Sequence, residues 1–388
     1  MQLSFDNTQI AFSYRNNKAL KKAHFLFSSM GSPFLTNVGM WATQTALKIG
    51  LPINGIIKRT IFEQFCGGET MEDAAQTASV LGKYGIGIIL DYGVEGKQDE
   101  VEFDKAVPEF VRAIEYAASK PNIPFISIKV TGFGKFDLLE KVQSANALSE
   151  TEKAAFERVR ERINTICAAA ARQQIMVLVD AEESWIQQPV DDLADEMMAL
   201  YNKDKAIVFN TFQMYRHDRL AFMKASLEKA KAGGYLLGAK LVRGAYMEKE
   251  RARAADFGYP SPIQPDKAAT DRDYDAAVMH GLQNIDHLAL FIGTHNENSC
   301  MQAAQFIDQK GWPHQHPHIF FSQLYGMSDN ISFNLADAGF NVSKYLPYGP
   351  VKDVIPYLMR RAQENTSVAG QTGRELGLIQ KEMKRRGM

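Results

Sequence analysis

Between residues 86 and 350 short apolar runs rich in β-branched residues alternate with longer stretches whose apolar positions recur every three or four residues. That is the pattern of strands buried on both faces and joined by helical crossovers. The runs lie at 87–91, 125–130, 175–180, 207–213, 239–244, 290–295, 319–323 and 342–348. Eight strands with helical crossovers spread over about 250 residues predict an α/β protein of the (β/α)8 barrel type. A doubly wound sheet has fewer strands and opens on a glycine-rich turn, and neither GxGxxG nor GxxxxGK[ST] occurs in the chain.

The crossovers carry their own punctuation. Ser149 and Glu152 form a capping box ahead of Phe156, Val159, Ile163, Ile166, Cys167 and Ala170, which share one helical face. Leu220, Met223, Leu227 and Ala230 repeat the pattern, with Gly233–Gly234 as the positive-φ exit. Upstream, Thr70 and Asp73 cap a helix ending near Gly82 or Gly85, and residues 16–66 read as mostly helical. Residues 1–85 are therefore expected to form an N-terminal helical arm, and residues 86–388 the barrel with a C-terminal helix.

In such a barrel the C-terminal strand ends build the active site. They are strongly polar here: Asp91 and Glu95, Lys129, Asp180 and Glu182, Gln213, the segment 240–246, Thr294 to Asn296, Gln323 and Ser328, then Tyr345 and Tyr348. After the last strand, helical spacing puts Tyr357, Arg360, Arg361 and Glu364 on one face and Ile355, Leu358, Met359 and Ala362 on the other, with Pro356 expected in the first turn. Paired guanidinium forks suit a carboxylate ligand. The alternative is a solvated face on which Arg360 and Glu364 form an ordinary i,i+4 pair.

Composition narrows the partners. Of 388 residues 45% are hydrophobic and 23% charged, with Lys+Arg (44) against Asp+Glu (45), which excludes a basic nucleic-acid binder and a disordered chain. Cys66, Cys167 and Cys300 lie far apart without CxxC spacing, so they read as buried small hydrophobes in a reducing compartment. His314, His316 and His318 precede the seventh strand, away from the catalytic end, and no metal is expected there. No run of about 18 apolar residues and no basic, then apolar, start is present, so neither a span nor a secretory leader is expected.

Several longer motifs, each at a strand end and in a fixed order, resemble those of the proline dehydrogenase family. They are IKVTG (128–132), VDAEES (179–184), TFQMY (211–215), KLVRGAY (240–246), GTHN (293–296), QLYGMSD (323–329) and YLPYGPVKDVIPYLMRRAQEN (345–365). The resemblance covers residues 85 to 370 and implies a distorted barrel that holds FAD and oxidises L-proline to Δ1-pyrroline-5-carboxylate, the first step of proline catabolism. It implies that Lys129, Arg360 and Arg361 hold the substrate carboxylate, and that Asp180, Lys129 and Lys240 form the catalytic set, Asp180 pairing with Lys129. Leu241, Tyr345 and Tyr357 would enclose the proline ring, with Tyr246 beside it. Gln213 would meet the flavin edge. Ala181, Lys240, Arg243, Gly244, Ala245, Thr294, His295 and Asn296 would hold the rest of the cofactor, and Glu95 would pair with Arg360 or Arg361. One departure stands out: Lys240 occupies a position where many bacterial members carry arginine near flavin N5, and a lysine lacks the planar fork.

The same resemblance implies a quinone acceptor, and with it transient contact of a protein expected in the cytoplasm with a membrane surface; the run 381–386 and Phe25, Phe27 and Phe34 are candidates for it, against the reading of a solvated face and ordinary core. A separate pyrroline-5-carboxylate dehydrogenase is expected to take the product, since the chain ends at Met388 after KEMKRR. Three rival readings stay open: a hydroxyproline dehydrogenase of the same fold, a flavin-free lyase or aldolase using Lys129 or Lys240 as a Schiff base, and a non-catalytic proline sensor.

Overall fold

The computed structural model describes residues 3–32, 38–43, 45, 49, 53–93, 99–144, 146–367 and 371–388, without the side chains at 363–367, 371 and 372. Eight strands close into a parallel barrel in sequence order: β1 Ile86–Tyr92, β2 Phe125–Ile128, β3 Met176–Val179, β4 Val208–Gln213, β5 Leu237–Val242, β6 Leu288–Gly293, β7 Ile319–Leu324 and β8 Val342–Tyr348. Every predicted run is a strand, with ends shifted by two residues at most. The chain divides into two compact units, Met1–Val94 with Gln323–Met388, and Glu95–Ser322.

In the unit Glu95–Ser322 the alternation of side chains along each strand gathers Phe125, Phe209, Phe291 and Phe320 into one aromatic layer. Phe125 meets the rings of Phe291 and Phe320 edge-on at 5.1 Å. The polar residues described below follow this layer toward the strand ends. The capping box at Ser149 and Glu152 opens the helix Glu150–Gln173. Gly234, at φ 63°, closes the helix Arg219–Gly233.

In the unit formed by the two chain ends, β1 and β8 run in register with Ile89 opposite Tyr345. The helix Asn17–Met30 starts at an Asn16 side-chain cap and buries Leu20, Ala23, Phe27 and Met30. Val354, Leu358, Leu378 and Ile379 belong to the same core. Phe27, at 1% exposure, is therefore a core residue and not a surface contact, whereas Phe25 is 70% exposed. Phe34 lies outside the described residues. The helix Met71–Gly82 carries the expected capping box at Thr70 and Asp73.

Pro356 is not in a first helical turn. The helix Val351–Ser367 begins five residues before it, because the Pro350 carbonyl already accepts from the amides of Asp353 and Val354. All three cysteines are free and buried, and burial pushes the Cys167 thiol up to about 12.

Candidate active site

The centre of the unit Glu95–Ser322 is one carboxylate shared by two lysines. Asp180 follows β3 directly, its amide donating to the Ile128 carbonyl of the neighbouring strand at 2.8 Å. Its Oδ1 lies 2.6 Å from Lys240 Nζ on β5, and its Oδ2 lies 3.6 Å from Lys129 Nζ at the end of β2. The Ser127 hydroxyl donates to the same Oδ2 at 3.1 Å. Lys240 also stands 6.0 Å over the Phe291 ring, on top of the aromatic layer. The three charged side chains keep only 8 to 18% of their surface exposed. Two cations on one carboxylate leave an excess of positive charge, the electrostatic condition for an anionic ligand.

The turn after Asp180 is fastened on several sides. Glu182 accepts from the Thr131 amide at 3.1 Å and from the Thr131 hydroxyl. The buried Gln213 amide on β4 donates to the Glu182 carbonyl at 2.7 Å. Glu250, fully buried on the helix Met247–Phe257, takes both the amide and the hydroxyl of Ser184 at 2.6 Å. Burial raises the Glu182 carboxyl to about 7, against the opposing pull of the Thr131 hydrogen bonds and the Lys129 charge.

After β5 the chain makes an exposed turn. Gly244 sits at φ 133°, where a Cβ would come within 2.5 Å of the Tyr215 ring, so this position accepts glycine alone. Arg243 donates to Asp271 at 2.7 Å, to the Thr294 hydroxyl at 2.6 Å and to Ser299 at 3.0 Å, its guanidinium 4.2 Å from the Tyr274 ring centre. Asn296 caps the helix Glu297–Gln309 by accepting from Ser299. Ala181 is buried, His295 half-buried, and Tyr246 stands just ahead of the helix Met247–Phe257. Leu241 is fully buried within β5.

In the other unit Tyr345 and Tyr357 are buried, Arg361 is 6% exposed and Arg360 half-buried. The Arg361 guanidinium stands 5.1 Å from the Tyr357 ring centre. The solvated-face reading of this helix fails for Arg361, because Arg361 is itself as buried as Leu358 and Ala362 on the opposite side. Glu95 and the Glu364 side chain lie outside the described residues.

The family model for proline dehydrogenase matches residues 74–374. The chain belongs to the proline dehydrogenase family. It is 31% identical over 428 residues to proline dehydrogenase 1, mitochondrial, of Arabidopsis thaliana, covering 98% of this chain and 86% of that one. It is 36% identical over 325 residues, 83% of each chain, to the carbapenem antibiotics biosynthesis protein CarD of Pectobacterium carotovorum subsp. carotovorum. Among solved structures, proline utilization A (PutA) from Bdellovibrio bacteriovorus inactivated by N-propargylglycine superposes with a TM-score of 0.73 at 20% identity, a likeness of fold. The match covers 93% of this chain and 38% of the PutA chain.

Family motifs pointed to Asp180 and to both of its lysines. They did not single out Ser127, Thr131, Glu182 or Glu250 as a supporting layer. The available signal was the run Asp180-Ala181-Glu182-Glu183-Ser184: so many acceptors directly after an apolar strand need partners if they are to be buried.

Proposed function

We propose that the protein is an oxidoreductase that converts L-proline to Δ1-pyrroline-5-carboxylate, with FAD taking the hydride and a quinone reoxidising the flavin, as the entry step of proline breakdown. The observation that carries this reading is the Lys129–Asp180–Lys240 cluster at the strand ends of a family member. Hydride leaves the ring carbon next to nitrogen only when the nitrogen lone pair can assist, so the reacting amine is neutral and the carboxylate is the charge left to hold. Lys129, Arg360 and Arg361 are assigned to that carboxylate, each bonding a substrate oxygen. Asp180 keeps the two lysine heads in place, while Leu241, Tyr246, Tyr345 and Tyr357 are assigned to the ring. Such orientation is the larger part of what a protein supplies to a flavin reaction.

The donors present fit a flavin dinucleotide. Arg243 and the Thr294 hydroxyl, the cap at Asn296 and the exposed main chain of Gly244 and Ala245 are groups that bind a pyrophosphate, and His295 is assigned beside them. The Gln213 amide, held by the Glu182 carbonyl, is assigned to the flavin edge together with Ala181 and Lys240. Residues 1–85 are read as an arm and 86–388 as the catalytic barrel. The quinone is met at a membrane surface from the cytoplasmic side, with the exposed Phe25 as one contact, and a separate dehydrogenase consumes the product. Among the described residues no helix is long and apolar enough to cross a membrane.

Purified protein should be yellow and its flavin absorbance should bleach on addition of L-proline. A colourless protein that FAD cannot reconstitute sinks the reading and leaves the Schiff-base alternative. Proline binding to a yellow protein without turnover, assayed with an artificial quinone, would instead identify a sensor. Comparing kcat/KM for proline and hydroxyproline decides the substrate, and the bulk of Tyr345 against the ring favours proline.

A further inference from the structure

We propose that Glu182 is a positioning residue for the substrate carboxylate, tying the turn that follows Lys129 to the turn that carries Asp180 and making carboxylate binding dependent on its own protonation. The proposal rests on the proline-oxidising reading above.

Every polar group of Glu182 is committed. Its amide donates to Gln187 Oε1 at 2.8 Å, and Gln187 passes the tie to Asp191 at 2.9 Å. Its carbonyl takes the Gln213 amide at 2.7 Å, and its carboxylate takes the amide and hydroxyl of Thr131. Thr131 is the middle residue of the short helical turn Val130–Gly132, whose Gly132 amide closes onto the Lys129 carbonyl at 3.0 Å. Holding Thr131 therefore fixes the backbone from which Lys129 extends. One side chain, 4% exposed, thus sets Lys129 relative to Asp180, while its carbonyl sets Gln213.

The charges around it give the tie a second consequence. Glu182 feels the charge of Lys129 from the end of β2 and of Glu183 from its own turn, while Asp180, two residues before it, ties Lys129 to Lys240 on β5. Lys249 on the helix Met247–Phe257 neutralises Glu183. With Glu182 protonated, Lys129, Lys240 and Asp180 together carry one net positive charge. With Glu182 ionised they and it carry none. The carboxyl, raised to about 7 by burial, crosses between these states near neutrality, and a substrate anion is held more weakly above that point.

The test uses the flavin-loaded enzyme. Proline KM and kcat are measured for wild type, Glu182→Ala, Glu182→Gln and Thr131→Val, and binding of cyclopentanecarboxylate, a ring acid with no reacting amine, is followed by the flavin spectrum from pH 6 to 8.5. Glu182→Ala should raise the proline KM roughly tenfold with a smaller change in kcat. Glu182→Gln, which still accepts from the Thr131 amide, should restore most of the KM at pH 6.5. Wild type should lose roughly tenfold in ring-acid affinity across the range, and Glu182→Gln should not. A folded, flavin-replete Glu182→Ala with wild-type KM, or a Glu182→Gln with the wild-type pH dependence, overturns the proposal. If Glu182→Ala does not fold, Thr131→Val must still raise KM about threefold, and an unchanged value overturns it. A wild-type enzyme that fails to oxidise proline defeats the underlying reading instead, so the two failures are distinct.

Discussion

Each unit contains an aspartate bracketed by two cations, and the two aspartates have opposite surroundings. Asp180 meets Lys129 and Lys240, which keep 18 and 8% of their side chains exposed. Asp329 lies 2.9 Å from Lys344 and 3.2 Å from Arg15, and the side chains of Asp329 and Lys344 are each 1% exposed. The second cluster carries further ties: Tyr14 donates to Asp329 at 2.7 Å, Arg15 donates to Gln64 at 3.2 Å, and Gln64 donates to the Gly326 carbonyl at 2.6 Å. Burial alone would raise the Asp329 carboxyl, but Lys344 and Arg15 outweigh it and hold it below the usual range. A sealed ion cluster fastens arm, strand and helix within its own unit. The more open cluster at the strand ends keeps the access a ligand needs.

The largest contrast is expected from removing each aspartate charge. Asp329→Asn leaves Arg15 and Lys344 buried without their carboxylate and should cost about 3–5 kcal/mol of stability. Asp180→Asn leaves Lys240 buried and Lys129 partly exposed and should cost less, about 1–3 kcal/mol, while proline turnover falls about a hundredfold or more through the misplaced Lys129. Denaturant midpoints and steady-state kinetics measured on both variants check this. Equal stability losses would erase the distinction. A smaller effect is expected from Arg361→Met, which should raise the proline KM by roughly 10- to 150-fold, the loss of one charge-assisted contact of about 1.5–3 kcal/mol. An unchanged KM would remove Arg361 from the carboxylate site and make it a packing partner of Tyr357.

The two clusters also differ in how far the sequence revealed them. The barrel was legible because parallel strands buried on both faces write continuous apolar runs, and all eight were read as strands. Asp180 and Lys129 were legible because each stands at or just beyond the end of such a run, and Lys240, inside β5, because it opens the motif KLVRGAY. Lys344 was not, although it interrupts the run VSKYLPY, because its counter-charges come from residues 329 and 375 and no local spacing links them. Pro356 was misplaced for a related reason. Proline inside a helix is rare on local grounds, and the earlier start of that helix depends on Pro350, itself at the end of a turn through Gly349 at φ 142°. Glu182 stood in plain view as a strand-end acid, but its importance lies in which backbone it grips, a property of the fold.

Glu375 gives the finest probe of the sealed cluster. It lies buried on the C-terminal helix Gln371–Arg385 and accepts from the Ser328 amide at 3.1 Å. Burial, reinforced by the nearby Asp329 charge, raises its carboxyl to about 7 from an ordinary value of 4.5. Between those two values the folded chain holds a proton that the unfolded chain has released. Stability from this group is therefore fully present below about 4.5 and is lost as pH rises through 7. The loss is about 3 kcal/mol. Glu375→Gln keeps an oxygen for the Ser328 amide and cannot ionise, so it should match wild type near pH 4 and exceed it at pH 8 in denaturant unfolding. Ser328 sharpens the expectation, since it holds φ 49° without being glycine, a conformation sustained only by its surroundings. If wild type and Glu375→Gln lose stability in parallel from pH 5.5 to 8, the carboxyl is ionised throughout, and water must reach the cluster that the comparison with Asp180 treats as closed.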